Sequence, residues 1–272
     1  GDHRDLHSFP TRRSSDLLSK CVRTFLKTFP IKKIAVAIPK GGKDDAEKAV
    51  FSDSEILSLI DNTMLMFVEG GKTRQESVLN ALLALKQNSA DFSSGKAKSE
   101  NNDLVLIHDG ARPFVTKKII LDTIAAAKEF GAAVPALQPV DTQKEKDENG
   151  FIKRHLQREN LAAVQTPQTF LLEPLLEAHK KAARDGKTYT DDTEIWGKYC
   201  GNVKIVEGDS VNKKITYPSD LVSCGLELSA IQKTTDGAYK ATESSLGGTS
   251  LESCQKANCS KILESNEQKK EN

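Results

Sequence analysis

Residues 103–137, DLVLIHDGARPFVTKKIILDTIAAAKEFGAAVPAL, decide the fold class of this chain. The run between Asp103 and His108 is continuously apolar, as expected for a strand that is covered on both faces. Residues 117–130 have apolar side chains at helical spacing behind Thr116, a predicted N-cap, and residues 132–137 form another apolar strand. A strand, a helix and a strand in succession predict a parallel βαβ unit.

The same alternation continues on both sides of this unit. Apolar spacing predicts helices over residues 17–29, 44–60, 74–85 and 173–184, and strands over residues 33–38, 64–68 and 203–206. A further extended run near residues 214–216 precedes a short predicted helix after Pro218. We therefore predict a three-layer α/β fold with a mostly parallel sheet.

Residues 139–166 interrupt this alternation and predict an inserted β-arm. Two short extended runs flank polar turn residues, and Asn149-Gly150 suits a tight hairpin turn. A hairpin inserted in a parallel sheet projects from it, so we expect the arm to serve in assembly or as a lid.

Composition excludes several classes of protein. The 272 residues contain 39 Lys and Arg against 38 Asp and Glu, a net charge of +1, which argues against a dedicated nucleic-acid binder. No apolar stretch is long enough for a transmembrane helix, so we expect no membrane partner. Five cysteines without a CxxC pair predict free thiols and a cytoplasmic location.

The two ends differ in composition from the middle. Residues 1–17 show neither helical nor strand spacing, and we interpret them as a non-native leader. Residues 226–272 are rich in Ser, Thr, Lys and Glu, and we expect this tail to be disordered because it buries too little apolar surface. The folded domain is thus predicted to span residues 18–225.

Polar clusters follow the predicted strands, where open α/β sheets bind ligands. Residues 70–77, GGKTRQES, place two glycines before a helix N-terminus, which suits a flat or phosphorylated ligand but is also typical of a plain turn. In residues 108–113, HDGARP, Asp109 suits Mg²⁺ and Arg112 suits a phosphate. The alternative is an Asp–Arg pair that only orders the turn, and His108 is more typical of a satisfied, partly buried imidazole than of a base.

A third group of hydroxyls and cations is spread along the second half and fits a phosphate pocket. It comprises residues 139–142, Arg158, residues 166–170, residues 190–192 and residues 212–216. Each piece has an ordinary alternative, such as a helix cap at Thr190 or a solvated face at Lys213. No Ser/His/Asp triad or metal–thiolate set is present, and His155 and His179 have no obvious partner.

Taken in order, six segments resemble the 2-C-methyl-D-erythritol 4-phosphate cytidylyltransferase family over about residues 17–221. The segments are GGKTRQESVLNAL, VLIHDGARPFV, PVDTQK, LQRENLAAVQTPQTF, YTDDTEIW and VNKKITYPSDL. The resemblance implies a Rossmann-like nucleotidyltransferase fold and a homodimer interlocked through the β-arm. It also implies transfer of CMP from CTP to methylerythritol phosphate, with Mg²⁺ as cofactor.

The resemblance further implies roles for individual residues. Nucleotide-binding positions match Gly71, Lys72, Ser77, Asp109, Gly110 and Ala111, and Asp109 also matches the metal ligand. Positions that bind methylerythritol phosphate, some of them across the dimer, match Arg112, Thr142, Arg158, Thr166, Thr190 and Lys214. Asp109 and Lys214 are the implied catalytic residues, while Lys72 departs from the acidic residue that is common there.

The family also implies a first strand and a Gly-rich loop with an essential Arg and a Pro-Lys pair, which residues 1–17 do not supply. We therefore expect the chain as printed to lack that strand and to be inactive or nearly so, whereas we expect the intact gene product to be active. Alternatives are a ribitol-5-phosphate cytidylyltransferase and a non-catalytic, truncated dimerisation module. A dinucleotide-dependent dehydrogenase is disfavoured because no GxGxxG follows a predicted strand.

Overall fold

The computed structural model describes residues 13–87, 103–216 and 220. The chain divides after Thr216 into two units, and the description that follows concerns the first. The predicted tail over residues 226–272 and the predicted short helix after Pro218 lie outside the described residues, as does most of the predicted leader.

Helices and strands alternate along the described chain. The helices are α1 (Arg13–Thr28), α2 (Lys43–Phe51), α3 (Ser54–Leu59), α4 (Arg74–Gln87), α5 (Lys117–Phe130), α6 (Leu172–Arg184) and α7 (Asp192–Tyr199). The strands are β1 (Lys33–Ile38), β2 (Met64–Glu69), β3 (Leu104–Ile107), β4 (Ala132–Leu137), β5 (Lys144–Lys146), β6 (Ile152–His155), β7 (Ala163–Val164), β8 (Gln168–Leu171) and β9 (Lys204–Glu207).

The strands form a parallel pair, a mixed sheet and a separate hairpin. β1 and β2 pair in parallel, with Val36 opposite Phe67. In the mixed sheet, β8 lies between β3 and β4 and runs antiparallel to both, and β9 pairs in parallel with β4. β3, β4 and β9 therefore point in the same direction, and their carboxyl ends share one edge.

The three-layer arrangement is confirmed by the packing of β3. Val105 belongs to a core with Leu82 of α4 and Leu175 of α6. The neighbouring residue, Leu106, packs instead against a core that contains Ile119 of α5. Because successive strand residues point to opposite faces, helices cover both faces of this sheet.

The expectation that a strand is missing bears on the pairing of β1 and β3. Within the described ranges, β1 pairs with β2 and β3 pairs with β8, and the two strands are not paired with each other. The first described element is α1, which begins four residues before the predicted start and packs against α2, α3 and α5.

Other local differences have physical causes. The single helix predicted over residues 44–60 is two helices, because the Asp53 carboxylate accepts the N–H groups of Glu55 and Ile56 and starts a new helix. β8 and α7 were not predicted, since each is short and lies among residues typical of turns. Residues 214–216 form no strand, although the Ile215 N–H donates to the Ala111 carbonyl.

The predicted β-arm is confirmed as the antiparallel pair β5–β6, with Lys144 opposite His155. Its turn is wider than the two residues predicted, because the Asp147 carboxylate accepts the N–H groups of both Asn149 and Phe151. Gly150 adopts a φ of +87°, which favours glycine. In the described part of the chain, no helix has the length and apolar character needed to cross a bilayer.

Candidate active site

Three segments converge at the carboxyl edge shared by β3, β4 and β9. Asp109 follows the end of β3, and Thr166 precedes β8, which runs the opposite way and therefore starts at this edge. The segment after β9 returns over the first loop, where the Ile215 N–H donates to the Ala111 carbonyl over 2.8 Å. Both strand direction and this hydrogen bond bring Asp109 and Lys214 together.

The Asp109 carboxylate is the centre of a cluster of cations. Its Oδ2 lies 3.2 Å from Lys214 Nζ and 3.6 Å from Arg112 Nε, and its Oδ1 lies 3.9 Å from Arg74 Nε. Burial acts to raise the pKa of Asp109, but the charges of Lys214, Arg74 and Arg112 outweigh it and hold the pKa below its ordinary value of 3.8. The site thus presents an ionised carboxylate among positive charges.

Arg112 is fixed within this cluster. Its Nη1 donates to the Asn212 carbonyl over 2.9 Å, and its backbone N–H closes a turn onto the Asp109 carbonyl. Its Nε is buried and has no hydrogen-bond partner in the described structure. Burial lowers the pKa of Arg112 despite the opposing charge of Asp109. The side chain therefore holds its positive charge in a fixed place beside Asp109.

His108 and Thr166 form a buried support beneath Asp109. His108 Nε2 lies 3.0 Å from the Arg112 carbonyl, which accepts only, so Nε2 carries the proton and Nδ1 accepts from the Thr166 hydroxyl at 2.9 Å. Thr166 Oγ1 in turn accepts the Asp109 N–H at 3.1 Å. These hydrogen bonds confirm the interpretation of His108 as a satisfied imidazole, and burial lowers its pKa to about 4.

Buried amides hold the segment after β9 in place. Asn212 is fully buried, and its Nδ2 donates to the Thr166 carbonyl over 2.8 Å. The Gln165 side chain binds both backbone groups of Asp209: its Nε2 donates to the Asp209 carbonyl, and its Oε1 accepts the Asp209 N–H. The Thr166–Pro167 peptide bond is cis. Sequence reasoning named the surrounding residues but did not predict the supporting role of Asn212.

The glycine-rich segment after β2 turns directly onto the start of α4. The Gly71 N–H donates to Ser77 Oγ over 3.0 Å, and the Lys72 N–H donates to Glu76 Oε2 over 2.7 Å. A Cβ at Gly71 would lie 2.2 Å from Glu76 Cβ, so the turn requires glycine. Lys72 is exposed, and Gly110, beyond Asp109, borders open space. The turn brings Arg74 to the Asp109 cluster.

Arg74 and Asp192 lie in polar clusters that the sequence pointed to, but their contact with each other and with His179 was not predicted. Arg74 Nη2 donates to Asp192 Oδ2 over 2.7 Å, and His179 Nε2 lies 3.0 Å from Asp192 Oδ1. The expectation that His179 has no partner is therefore wrong. Its position on the apolar face of α6, beside Leu175 and Leu176, was the available signal, because a buried imidazole needs a hydrogen-bond partner.

Thr190 lies near this cluster without contacting Asp109 in the described structure. Its N–H and hydroxyl both donate to Glu194 Oε2, at 2.8 and 2.9 Å, while Asp191 caps α7. The Gln168 amide donates to Asp191 Oδ2 over 3.0 Å and so ties this turn to β8. The capping interpretation of Thr190 is therefore wrong, because Asp191 is the N-cap and Thr190 binds the Glu194 carboxylate from the position before it.

Thr142 and Arg158 belong to the arm rather than to the cluster. Both are exposed, and Arg158 Nη1 donates to the Val140 carbonyl over 2.7 Å at the base of the arm. No described contact joins either residue to Asp109. Two pockets of about 430 and 310 Å³ lie elsewhere, beside Phe130, Trp196 and Cys200 near the start of β4.

The donor set at Asp109 fits a hard divalent cation that is bound mainly by ligand phosphates. Among the described residues, no three His, Cys, Asp or Glu side chains gather into a metal-binding group. The Asp109 side chain is 19% exposed, whereas Asp192 is fully buried between two partners. Mg²⁺ commonly binds through one or two carboxylates together with substrate phosphates, so one accessible carboxylate among phosphate-binding cations suffices.

An α/β sheet with a carboxylate and three cations at the carboxyl edge of its strands suits an enzyme that binds phosphorylated ligands, and nucleotidyltransferases are such a class. A sequence model described as 2-C-methyl-D-erythritol 4-phosphate cytidylyltransferase matches residues 7–229. The chain belongs to this family.

Individual relatives agree with this assignment. A protein of that name from Clostridium beijerinckii is 39% identical over 206 residues, which cover 76% of this chain and 82% of the relative. One from Clostridium novyi is 42% identical over 180 residues, covering 63% and 72%. The crystal structure of the Thermus thermophilus 2-C-methyl-D-erythritol 4-phosphate cytidylyltransferase has a TM-score of 0.57 at 32% identity and covers 76% of this chain and 86% of its own. The resemblance found in the sequence motifs is thus confirmed.

Proposed function

We propose that the protein transfers CMP from CTP to 2-C-methyl-D-erythritol 4-phosphate and releases pyrophosphate, a step in isoprenoid precursor biosynthesis. The observation that carries this proposal is the convergence of Lys214, Arg112 and Arg74 on Asp109. Such a cluster suits two phosphate-bearing substrates, and the relatives carry the corresponding name.

The chemistry needs no covalent enzyme intermediate. A phosphate oxygen of the substrate alcohol attacks the α-phosphorus of CTP in line and forms a new P–O bond. The bond from the α-phosphorus to the bridging oxygen breaks, and its electron pair leaves with pyrophosphate. Lys214 and Arg112 stabilise the negative charge that spreads over the reacting phosphates, so positioning and electrostatics supply the catalysis.

Mg²⁺ is the proposed cofactor, held by Asp109 together with the nucleotide phosphates. When bound, it neutralises phosphate charge and orients the leaving group. The ionised state of Asp109, which the pKa lowered by its cationic neighbours secures, is the form that a hard cation requires.

The remaining proposed site residues divide by substrate. The nucleotide side comprises Gly71, Lys72, Ser77, Gly110 and Ala111. The methylerythritol phosphate side comprises Arg112, Thr142, Arg158, Thr166, Thr190 and Lys214. For Ser77 and Thr166, the described hydrogen bonds are internal to the fold, so their proposed role includes shaping the loops that face the ligand.

A homodimer through the β-arm is also proposed. Val140, Phe151 and Ile152 are 85, 74 and 58% exposed, which is unusual for such apolar side chains on one projecting element. Thr142 and Arg158 lie on the same arm, and a dimer would allow them to serve the partner's site. Neither membrane nor nucleic acid is a proposed partner.

A cytoplasmic location is proposed from the cysteines. Cys21 and Cys200, the two in the described structure, are free thiols, as is usual in a reducing compartment.

Selective ligand binding tests the proposed function. Methylerythritol phosphate and ribitol 5-phosphate are each titrated into the full-length protein with CTP and Mg²⁺, and pyrophosphate release is followed in parallel. Binding is measured as well as turnover, so the test does not depend on the catalytic rate. We expect methylerythritol phosphate to bind at least tenfold more tightly. Preference for ribitol 5-phosphate, or binding of neither, would contradict the proposal.

A further inference from the structure

A line of hydrogen-bonded and ion-paired side chains runs from the interior of the protein to Asp109. His179 Nε2 lies 3.0 Å from Asp192 Oδ1, Asp192 Oδ2 lies 2.7 Å from Arg74 Nη2, and Arg74 Nε lies 3.9 Å from Asp109 Oδ1. We propose that Arg74 is a positioning residue for the Asp109 carboxylate and that Asp192 and His179 hold Arg74 in place. This inference rests on the proposed function of the Asp109 site.

The inner end of the line is rigid. His179 and Asp192 are both fully buried, and Asp192 accepts one hydrogen bond on each carboxylate oxygen. Either oxygen can move only by breaking a buried, charge-assisted bond, which is costly. Arg74, whose side chain is 38% exposed, is therefore fixed from behind while its Nε edge faces Asp109.

The outer end of the line acts on one particular oxygen of Asp109. Lys214 and Arg112 both contact Oδ2, whereas Arg74 faces Oδ1. Without Arg74, both remaining cations would draw the carboxylate through the same oxygen. With Arg74 in place, cations face both carboxylate oxygens from different sides and fix the plane of the carboxylate. That plane determines how Asp109 meets a metal ion bound to nucleotide phosphates.

A purely structural role is the competing explanation, because the Arg74–Asp192 pair also joins α4 to α7. Arg74→Gln removes the cation but leaves Asp192 with one partner fewer. The double variant Arg74→Gln/Asp192→Asn removes the cation and also the uncompensated buried charge. If the pair only joins helices, neutralising both partners restores both stability and ligand binding. If Arg74 positions Asp109, the double variant regains stability but not ligand binding.

A matched control is available in α1. Arg23 Nη1 also lies 2.7 Å from an aspartate, Asp53, and its side chain is 33% exposed, close to the value for Arg74. Arg23→Gln therefore breaks an ion pair of similar geometry that does not reach Asp109.

The experiment measures thermal unfolding and the affinity for CTP with Mg²⁺ by calorimetry on each full-length variant. We expect Arg74→Gln and the double variant to bind CTP with Mg²⁺ about tenfold more weakly, which corresponds to about 1.4 kcal/mol of binding free energy. The double variant unfolds at a higher temperature than Arg74→Gln, and Arg23→Gln keeps its affinity. Arg74→Lys keeps the charge but cannot span Asp192 and Asp109 together, so its affinity falls between the two extremes.

Three results would overturn the inference, and they are distinguishable. Unchanged affinity in the double variant would leave Arg74 with a structural role alone. An equal loss of affinity in Arg23→Gln would show that affinity depends on the stability of the protein and not on the position of Arg74. Failure of the unsubstituted chain to bind CTP with Mg²⁺ would refute the proposed function, and the inference with it.

Discussion

Lys214 is the nearest cation to the Asp109 carboxylate, at 3.2 Å, and its side chain is 47% exposed. Lys214→Ala should therefore leave the fold intact. It should cost about 3 kcal/mol of transition-state stabilisation, or about 100-fold in turnover, because it removes a charge placed beside the reacting phosphates. Single-turnover rates at high enzyme concentration, where even a slow unsubstituted chain gives a signal, and thermal unfolding check this prediction together. An unchanged rate in the purified, folded variant would contradict the role of Lys214.

His108 predicts a specific dependence of stability on pH. Its pKa is about 4 in the folded protein, below the ordinary value of 6.5, so the unfolded chain binds a proton more readily between these values. Its contribution to stability is fully present above pH 6.5 and is lost as the pH falls toward 4, by about 2 kcal/mol between pH 7 and pH 5. Urea unfolding of His108→Gln should show a smaller loss than the unsubstituted chain.

His155→Gln is the control for this measurement, since His155 lies exposed on β6. Equal pH dependence in the unsubstituted and His108→Gln chains would show that His108 is not held neutral in the folded state.

At the residue scale, the sequence motifs predicted the centre of the site better than its support. The structure brings together Asp109, Arg112 and Lys214, as expected. Their positions after predicted strands and the family resemblance both indicated that they share a site. The contact between Arg74 and Asp192 was not predicted, because it depends on how α4 and α7 pack and local spacing does not contain that information.

At the element scale, the turn between β2 and α4 gives a paired prediction. Gly71→Ala would place a Cβ 2.2 Å from Glu76 Cβ, so the turn must open and Arg74 must shift. We expect the free energy of unfolding to fall by about 1–3 kcal/mol, the usual cost of overpacking. In contrast, Gly197→Ala in α7 has nothing within 4 Å and should stabilise the helix by about 0.5–1 kcal/mol.

Urea unfolding of the two glycine variants checks these opposite signs. A Gly71→Ala variant as stable as the unsubstituted chain would show that the turn does not require glycine.

Long elements with a clear apolar period were predictable, and short ones were not. β1, β3, α5 and β4 lie where the sequence pattern puts them. β8 has four residues and depends on its antiparallel pairing with both β3 and β4, so no local pattern identifies it. The division between α2 and α3 follows from Asp53, a capping signal inside an otherwise continuous helical pattern.

At the scale of the whole molecule, the exposed arm predicts dimerisation. Phe151→Asp/Ile152→Asp should shift the protein toward monomer, because charges replace apolar side chains that are 74 and 58% exposed. Light scattering after size-exclusion chromatography measures the mass. Leu57→Asp on α3, where the side chain is 46% exposed, is the control and should leave the mass unchanged. An unsubstituted chain that is already monomeric at high concentration would contradict dimerisation through the arm.

The fold class could be predicted from the sequence, but only part of the arrangement of the site could be. Strand direction explains why Asp109 and Lys214 share an edge. Thr142 and Arg158 remain apart from them on the arm, so their place in a shared site depends on the proposed assembly.

The most direct test of the central claim is a crystal structure of the full-length protein with CTP and Mg²⁺. We predict a metal ion about 2.1 Å from an Asp109 carboxylate oxygen, with nucleotide phosphates in its coordination shell and Lys214 beside them. Nucleotide bound instead in the pockets beside Phe130 and Trp196, with no contact to Asp109, would contradict the account.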